Sequence, residues 1–288
     1  MLKYLQTIKK ETAVDRIIIE GRKLINAVER IYYALPKNKE LAGKPISGIR
    51  LFISNGRIDF TATNGYRLAM YSSKLVKDKT KWKRAYTVPA REIKELVDSV
   101  QRDEEVEITV EDNKITFKGL NFDKTVDLIE GRYPPYHKVI PKEYNIKIKV
   151  SKDKLLNAIN TVIKERPYKD SEVGHYERVV LRLQGKRLVV SSLSPTDPLP
   201  EDYKSRIYDI PVEVIYDYFK GDQDIPPYVC LNELYLKNAM KPIKGAKVVI
   251  GIVNECSPVA FESPDPTYGY LGLVMPMDPA SNQLILVR

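Results

Sequence analysis

The chain has 288 residues, a mass of 33.0 kDa, 43% hydrophobic and 30% charged residues, and a formal net charge of +9. That is the composition of a soluble globular chain, long enough for two domains that each bury a core. No apolar run approaches a transmembrane span, and the start, MLKYLQTIKKETAVDR, lacks the apolar core of a secretory signal. The two cysteines, Cys230 and Cys256, have no ligand spacing and make a poor disulfide framework, so a reducing cytosol and a cytoplasmic location are expected. The two histidines, His137 and His175, argue against a histidine-built metal or catalytic centre. Charge is uneven: residues 1–140 hold 27 Lys and Arg against 19 Asp and Glu (+8), and residues 141–288 hold 20 against 19 (+1). A basic excess of that size suits a polyanionic partner without requiring one.

A short strand is predicted from Arg16 to Glu20, then a helix over 21–35 with Leu24, Ile25, Val28, Ile31, Tyr32 and Leu35 on one stripe and Arg22, Lys23, Asn26 and Arg30 opposite. Pro36 ends it. Strands are expected over 46–53, 56–62 and 66–73, the first two joined at Asn55-Gly56, a strong hairpin signal. Between the second and third lies TATNGYRLAM, a polar turn with one arginine. A basic loop follows (Lys79, Lys81, Lys83, Arg84). In YTVPAREIKELVDSV a strand leads to Pro89 at a helix start, where proline's missing N–H costs nothing, and Ile93, Leu96, Val97 and Val100 form the buried stripe. VEITVED and KITFKGL make a hairpin around Asp112-Asn113, and DKTVDLIE adds a strand. GRYPPYHKVIPKEY, with Pro134, Pro135 and Pro141, reads as a linker.

The second half repeats the plan. IKIKVSKD is a strand running into a helix capped at Ser151, with Leu155, Leu156, Ile159, Val162 and Ile163 as its stripe. ERVVLRLQGKRLVVSS is a hairpin at Gln184-Gly185, and a proline-rich loop covers 193–202. SRIYDIPVEVIYDYFK has strand character with helix left open. YVCLNELYLKNAMKPI is a strand and a helix with Leu234, Leu236, Ala239 and Met240 as core. GAKVVIGIVN, SPVAFESPD and YLGLVMPM close the chain's regular part. The expected class is α+β: two similar units, each with two amphipathic helices packed on antiparallel sheet.

Four stretches in order, TATNGYRLAM (61–70), YTVPAREIKELVDSV (86–100), LIEGRYPPYHKVIP (128–141) and LVMPM (273–277), resemble the bacterial sliding clamp family, the β subunit of DNA polymerase III. The helix-opening segments SKDKLLNAI and LNELYLKNAM sit where that family's third domain has its helices. The resemblance covers roughly 17–278 and implies the DNA clamp fold, with 16–140 like the family's second domain, 141–288 like its third, and 1–15 an extension. Family members carry three such domains and close a six-domain ring from two chains. Two domains per chain would reach six with three chains, hence an expected homotrimer joined by one repeated heterologous contact.

The resemblance also implies the sites. Partner peptides from a polymerase or clamp loader would enter an apolar cleft matched here by Ile46, Thr63, Gly65, Tyr66, Arg67, Leu68, Pro134, Lys138, Val139, Leu273, Met275, Pro276 and Met277. Tyr66 and Leu68 would wall a pocket that Arg67 flanks, with Met275 and Met277 as adaptable contacts. Basic residues on the helices, Arg22, Lys23, Arg30, Arg91, Lys94, Lys154, Lys164, Lys237 and Lys241, would meet the phosphates of double-stranded DNA without reading sequence. Departures from the family pattern are Asn64 for aspartate, Tyr66 for histidine, Pro135 and Lys138 where aspartate and arginine are common, and Asp278-Pro279 after LVMPM where Arg-Leu is common. The apolar tail SNQLILVR could fold over the cleft.

An enzyme is the rival class. No GxSxG elbow, HExxH, P-loop or CxxC is present and no carboxylate pair is legible, so no catalytic residue, metal or cofactor is expected. A second rival is a clamp-fold adaptor that binds DNA or replication proteins without closing a ring.

Overall fold

The structure, a computed structural model, describes residues 15–78, 83–164, 178–192, 208–218 and 228–278. In the first half the elements run β1 (Asp15–Glu20), α1 (Gly21–Ile31), β2 (Gly48–Ser54), β3 (Arg57–Thr63), β4 (Arg67–Lys74), β5 (Lys77–Asp78), β6 (Arg84–Pro89), α2 (Ala90–Val97), β7 (Glu105–Glu111), β8 (Lys114–Lys118) and β9 (Asp123–Asp127). The second half gives β10 (Ile146–Ser151), α3 (Lys152–Lys164), β11 (Arg178–Gln184), β12 (Arg187–Ser191), β13 (Tyr208–Pro211), β14 (Glu213–Asp217), β15 (Tyr228–Asn232), α4 (Glu233–Met240), β16 (Lys247–Ile252), β17 (Val259–Glu262) and β18 (Tyr270–Val274).

Local chemistry accounts for most of these boundaries. Asn55 and Gly56 both take positive φ (53° and 71°), the geometry that a two-residue hairpin turn needs and that Asn-Gly supplies at least strain. Asp112 (φ 52°) and Gly185 (φ 56°) serve the other two hairpins. Ser151 Oγ accepts the Lys154 N–H at 3.4 Å at the start of α3, and Asn232 caps α4 through Tyr235 N–H. Helix α1 is shorter than the stripe predicts. It stops at Ile31, and Tyr32–Ala34 tighten into one turn of 3-10 helix. Pro36 is the cause, because the residue before a proline is pushed out of the α region. Tyr32 is accordingly 37% exposed, off the buried stripe. Leu234 also leaves its expected core place and is exposed in the first turn of α4. The undecided segment around 208–218 is two strands, β13 and β14, broken at Val212.

Among the described residues all strand pairs are antiparallel, in three sheets ordered β5-β1-β7-β8-β9, β14-β10-β16-β17-β18-β4-β3-β2-β6 and β13-β12-β11-β15. Each half therefore owns a five-stranded and a four-stranded sheet. The helices do not cover one face of a single sheet: α3 meets both β10 and β12, and α4 meets both β15 and β18. The middle sheet crosses the boundary between halves, because β18 of the second half pairs with β4 of the first. One hydrophobic core, from Ile17 to Val274 in chain order, takes in strands of all three sheets.

Candidate functional site

The turn in TATNGYRLAM is an Asx turn at the seam between the halves. Asn64 Oδ1 accepts the N–H groups of Tyr66 and Arg67, both at 3.0 Å. Thr63 Oγ1 accepts from Gly65 N–H (3.1 Å) and donates to the Arg67 carbonyl (2.8 Å). Gly65, at φ 91°, takes the backbone conformation that a side chain would strain. Asparagine offers the same acceptor as the family's aspartate, and its Nδ2 adds a long contact to Tyr235 Oη (3.4 Å).

The turn delivers β4 to β18, with Leu68 opposite Leu273 and Arg67 opposite Val274. Beyond the strand, Met275 N–H donates to the Tyr66 carbonyl (2.9 Å) and Met277 N–H to the Cys230 carbonyl (2.8 Å). Leu68, Ala260 and Leu273 form a small buried cluster, with Met70, Tyr136, Val139, Ile140, Tyr144 and Leu271 packed around it. Pro134 and Lys138 belong to the linker beside it, where residues Tyr136–Lys138 make one helical turn and Lys138 is exposed. Thus Leu68 and Leu273 meet Val139 in one buried cluster, Tyr66 and Met275 are joined beside it by their backbone bond, and Gly65 and Lys138 are exposed. Ile46 lies in another one-turn helix, Pro45–Ser47, half-buried beside β3 and outside that cluster. Pro276 is buried between the two methionines.

Two expected roles change. Met277 is 1% exposed and packs with Val180, Cys230 and Tyr228 on the other sheet, so it is core rather than a cleft wall. Arg67 does not flank a pocket from outside. It is 4% exposed, its guanidinium lying 4.6 Å from the Tyr235 ring and 5.4 Å from the Tyr33 ring. Its Nε and Nη1 have no hydrogen-bond partner among the described residues, and burial pushes its pKa down.

The basic helix residues also separate. Arg30 is withdrawn from any phosphate: it is 9% exposed, stacked 3.9 Å from Tyr268 and 4.9 Å from Tyr71, and it donates to the Tyr268 carbonyl at 3.3 Å. The cause is the neighbouring half, which brings Tyr268 over the end of α1. Arg22 pairs with Glu20, Arg91 with Glu95 (2.8 Å), Lys94 with Asp98 (3.6 Å) and Lys237 with Glu233. Lys124 reaches Glu92 (2.8 Å) on the same helix, α2, so that helix presents matched charge. Lys154, Lys164 and Lys241 are exposed and Lys23 is half-buried. Of the basic loop, Lys83 is exposed, Arg84 is half-buried in β6, and Lys79 and Lys81 lie outside the described residues, as does the tail 279–288.

Sequence reasoning missed the tyrosines of the seam. Tyr33 Oη and Tyr270 Oη are 2.7 Å apart, and Tyr270 donates onward to the Ala239 carbonyl (2.8 Å). Burial pushes the Tyr33 pKa up to about 12. The only available signal was the count of 19 tyrosines against 6 phenylalanines, which favours apolar bodies with polar tips.

Cys256 and His137 are exposed, and among the described residues no group of three His, Cys, Asp or Glu could hold a metal. No helix among them is long and apolar enough to cross a membrane.

Residues 18–135 match the family model for the central domain of the DNA polymerase III beta subunit. The beta sliding clamp of Synechococcus elongatus is 24% identical over 238 residues, covering 81% of this chain and 58% of the relative. The DNA polymerase III beta subunit of Thermotoga maritima matches with a TM-score of 0.75 at 17% identity, covering 92% of this chain and 65% of that one. The Pseudomonas aeruginosa sliding clamp bound to griselimycin gives 0.74 at 20%, covering 91% and 65%. The chain therefore spans less than two thirds of the length of these relatives, and the architecture it shares with the solved structures is the clamp fold. Over that part of a full clamp chain, the chain matches the DNA polymerase III beta subunit, or sliding clamp, family.

Proposed function

We propose that the chain is a DNA sliding clamp, a processivity factor that encircles duplex DNA and tethers a polymerase. One observation carries the reading: two halves with the same strand pairings are joined edge to edge through β4 and β18, a joint that can be repeated between chains. Three chains of two such domains, 16–140 and 141–288, would supply a six-domain ring with one heterologous contact used three times. Such a ring works by confinement, holding a bound polymerase at high effective concentration near its template. Members of the beta clamp family are non-catalytic scaffolds, and the same is proposed here.

Lys23, Lys154, Lys164 and Lys241 are the stronger DNA-facing candidates, because none of them pairs with a carboxylate among the described residues. Arg22, Arg91, Lys94 and Lys237 would first have to leave a carboxylate. The seam at Tyr66, Leu68, Val139 and Leu273 is proposed to take apolar residues of polymerase or loader peptides, with Lys138 at its rim.

Light scattering over a range of concentrations at moderate salt tests the ring, together with retention on nicked circular DNA before and after linearisation. A three-chain species retained on circles and lost from linear DNA is expected. A chain that stays monomeric at high concentration with circular DNA present would overturn the ring and favour the adaptor.

A further inference from the structure

The sequence holds two Asn-Gly pairs, Asn55-Gly56 and Asn64-Gly65, and the fold treats them in opposite ways. Asn-Gly is chemically special because glycine has no side chain to shield its backbone nitrogen from the preceding carboxamide. At Asn64 every group that could react is engaged. Its Oδ1 accepts the N–H groups of Tyr66 and Arg67, both at 3.0 Å, its Nδ2 lies 3.4 Å from Tyr235 Oη, and Gly65 N–H donates to Thr63 Oγ1 at 3.1 Å. The carboxamide is thereby held toward residues beyond Gly65 and away from the Gly65 nitrogen.

Asn55 stands exposed at the tip of the β2–β3 hairpin, and its carboxamide makes no hydrogen bond among the described residues. The space where a Cβ on Gly56 would stand is open, so solvent reaches the turn. Gly56 N–H donates to Asp78 Oδ2 at 2.9 Å. A carboxylate therefore sits against the nitrogen whose proton must leave before that nitrogen can attack.

We propose that Asn55 is a deamidation site, with Asp78 as the proton acceptor. The Gly56 nitrogen bonds to Asn55 Cγ as its proton passes to the Asp78 carboxylate. The carboxamide C–N bond breaks, and the departing nitrogen takes that proton and leaves as ammonia. The ring so closed is a succinimide. Water then adds to one of its two carbonyl carbons, the bond from that carbon to the Gly56 nitrogen breaks, and the nitrogen regains a proton, leaving aspartate or isoaspartate. Closing the ring needs rotation of the Asn55 backbone, which an exposed two-residue turn supplies by local opening without moving a core side chain.

The product loosens a tie between two sheets. Gly56 is anchored at both ends, its N–H on Asp78 and its carbonyl on Leu75 N–H at 2.9 Å. The same segment is bound to the five-stranded sheet, with Val76 N–H donating to the Ile18 carbonyl at 2.8 Å and Asp78 opposite Ile17. Isoaspartate inserts one more carbon into the main chain before Gly56, a displacement of about 1.5 Å, and adds a carboxylate beside Asp78. β5 is the element released.

The full chain is aged in mildly alkaline buffer, folded or in guanidinium chloride, and then digested with trypsin. The digest separates the two pairs as LFISNGR (51–57) and IDFTATNGYR (58–67). In the folded chain LFISNGR is expected to gain the acid form at least about tenfold faster than IDFTATNGYR, and in denaturant the two rates should converge. Asp78→Asn keeps an acceptor for Gly56 N–H but removes the base, and should slow LFISNGR about threefold or more in the folded chain alone. The aged chain should accept methyl groups at residue 55 from a protein isoaspartyl methyltransferase and lose hydrogen-exchange protection at Leu75 and Val76. Asn55→Asp, which adds the charge without lengthening the chain, should keep that protection. Equal rates at the two peptides in the folded chain, or reaction of LFISNGR in denaturant alone, would overturn the site. An unchanged rate in Asp78→Asn would overturn the proton acceptor, and intact protection at Leu75 and Val76 after ageing would overturn the release of β5.

Discussion

Replacing Arg30 by methionine tests whether the seam is held by the stacked guanidinium. The change keeps an unbranched stem and removes the charge. The ring of Tyr268 at 3.9 Å is close enough to be worth about 2 kcal/mol in a desolvated site, and the ring of Tyr71 at 4.9 Å about 1 kcal/mol. The bond to the Tyr268 carbonyl is long, at 3.3 Å, and counts for roughly 1 kcal/mol. Against these stands the desolvation of a guanidinium held at 9% exposure, which methionine does not incur and which offsets about 2 kcal/mol. The expected net loss is about 2 kcal/mol, roughly thirty-fold in the unfolding equilibrium constant. Urea titration followed by far-ultraviolet circular dichroism reads it as a lower midpoint at unchanged slope. Arg30→Lys, which keeps charge without the flat stacking surface, should fall between. A methionine variant as stable as the parent, or more stable, would refute the reasoning and mean that the buried charge is a net cost here.

Asn64→Ala leaves two turn N–H groups without their acceptor and should cost about 1–2 kcal/mol, whereas Asn64→Asp keeps both acceptors and should stay within about 0.5 kcal/mol by thermal melts. Gly269→Ala needs a side chain at φ 70° with its Cβ 2.2 Å from the Ser72 carbonyl oxygen, so a loss of roughly 3 kcal/mol or more is expected in urea titration. Tyr33 gives a pH signature. Its folded pKa, about 12, lies above the unfolded value of 10, so the folded state holds its proton longer. That share of stability is complete below pH 10 and lost as pH rises toward 12, roughly 2 kcal/mol over the window. The difference between Tyr33→Phe and parent midpoints should change by that amount between pH 9 and 11.5. Finally, Lys154→Ala with Lys164→Ala should lower the salt slope of DNA retention by up to about 2 in log–log terms, while Arg30→Met leaves that slope unchanged.

Local rules made the hairpins and helices readable. Asn55-Gly56 allows few alternatives, and stripes such as Leu155, Ile159 and Val162 bury one helix face wherever they occur. The turn at Asn64 was legible as a turn for the same reason. What the sequence hid was partnership at long range. Nothing within α1 distinguishes Arg30 from Arg22, since one is buried only because Tyr268, 238 residues later, arrives above it. Met275 and Met277 look alike in LVMPM, yet beyond the end of β18 the chain bonds one to the Tyr66 carbonyl and carries the other across to the sheet of Cys230. Lys94 and Lys237 read as a basic face until the carboxylates one turn away are seen to pair with them.

The nine-stranded sheet makes covalent continuity almost incidental to the molecule. Five consecutive residue pairs, from Tyr270–Tyr71 to Val274–Arg67, stitch the halves together by hydrogen bonds and buried side chains, while the 131–144 connection packs Tyr136, Val139, Ile140 and Tyr144 against that seam without adding a strand to it. A chain severed there would still present each half with the edge it was built to meet. The peptide link then serves chiefly to keep the two at millimolar effective concentration. Two fragments produced apart would each carry a naked, apolar strand edge, prone to self-pairing until the other arrives. Complementation of split fragments, and not hinge motion, is the behaviour this architecture favours.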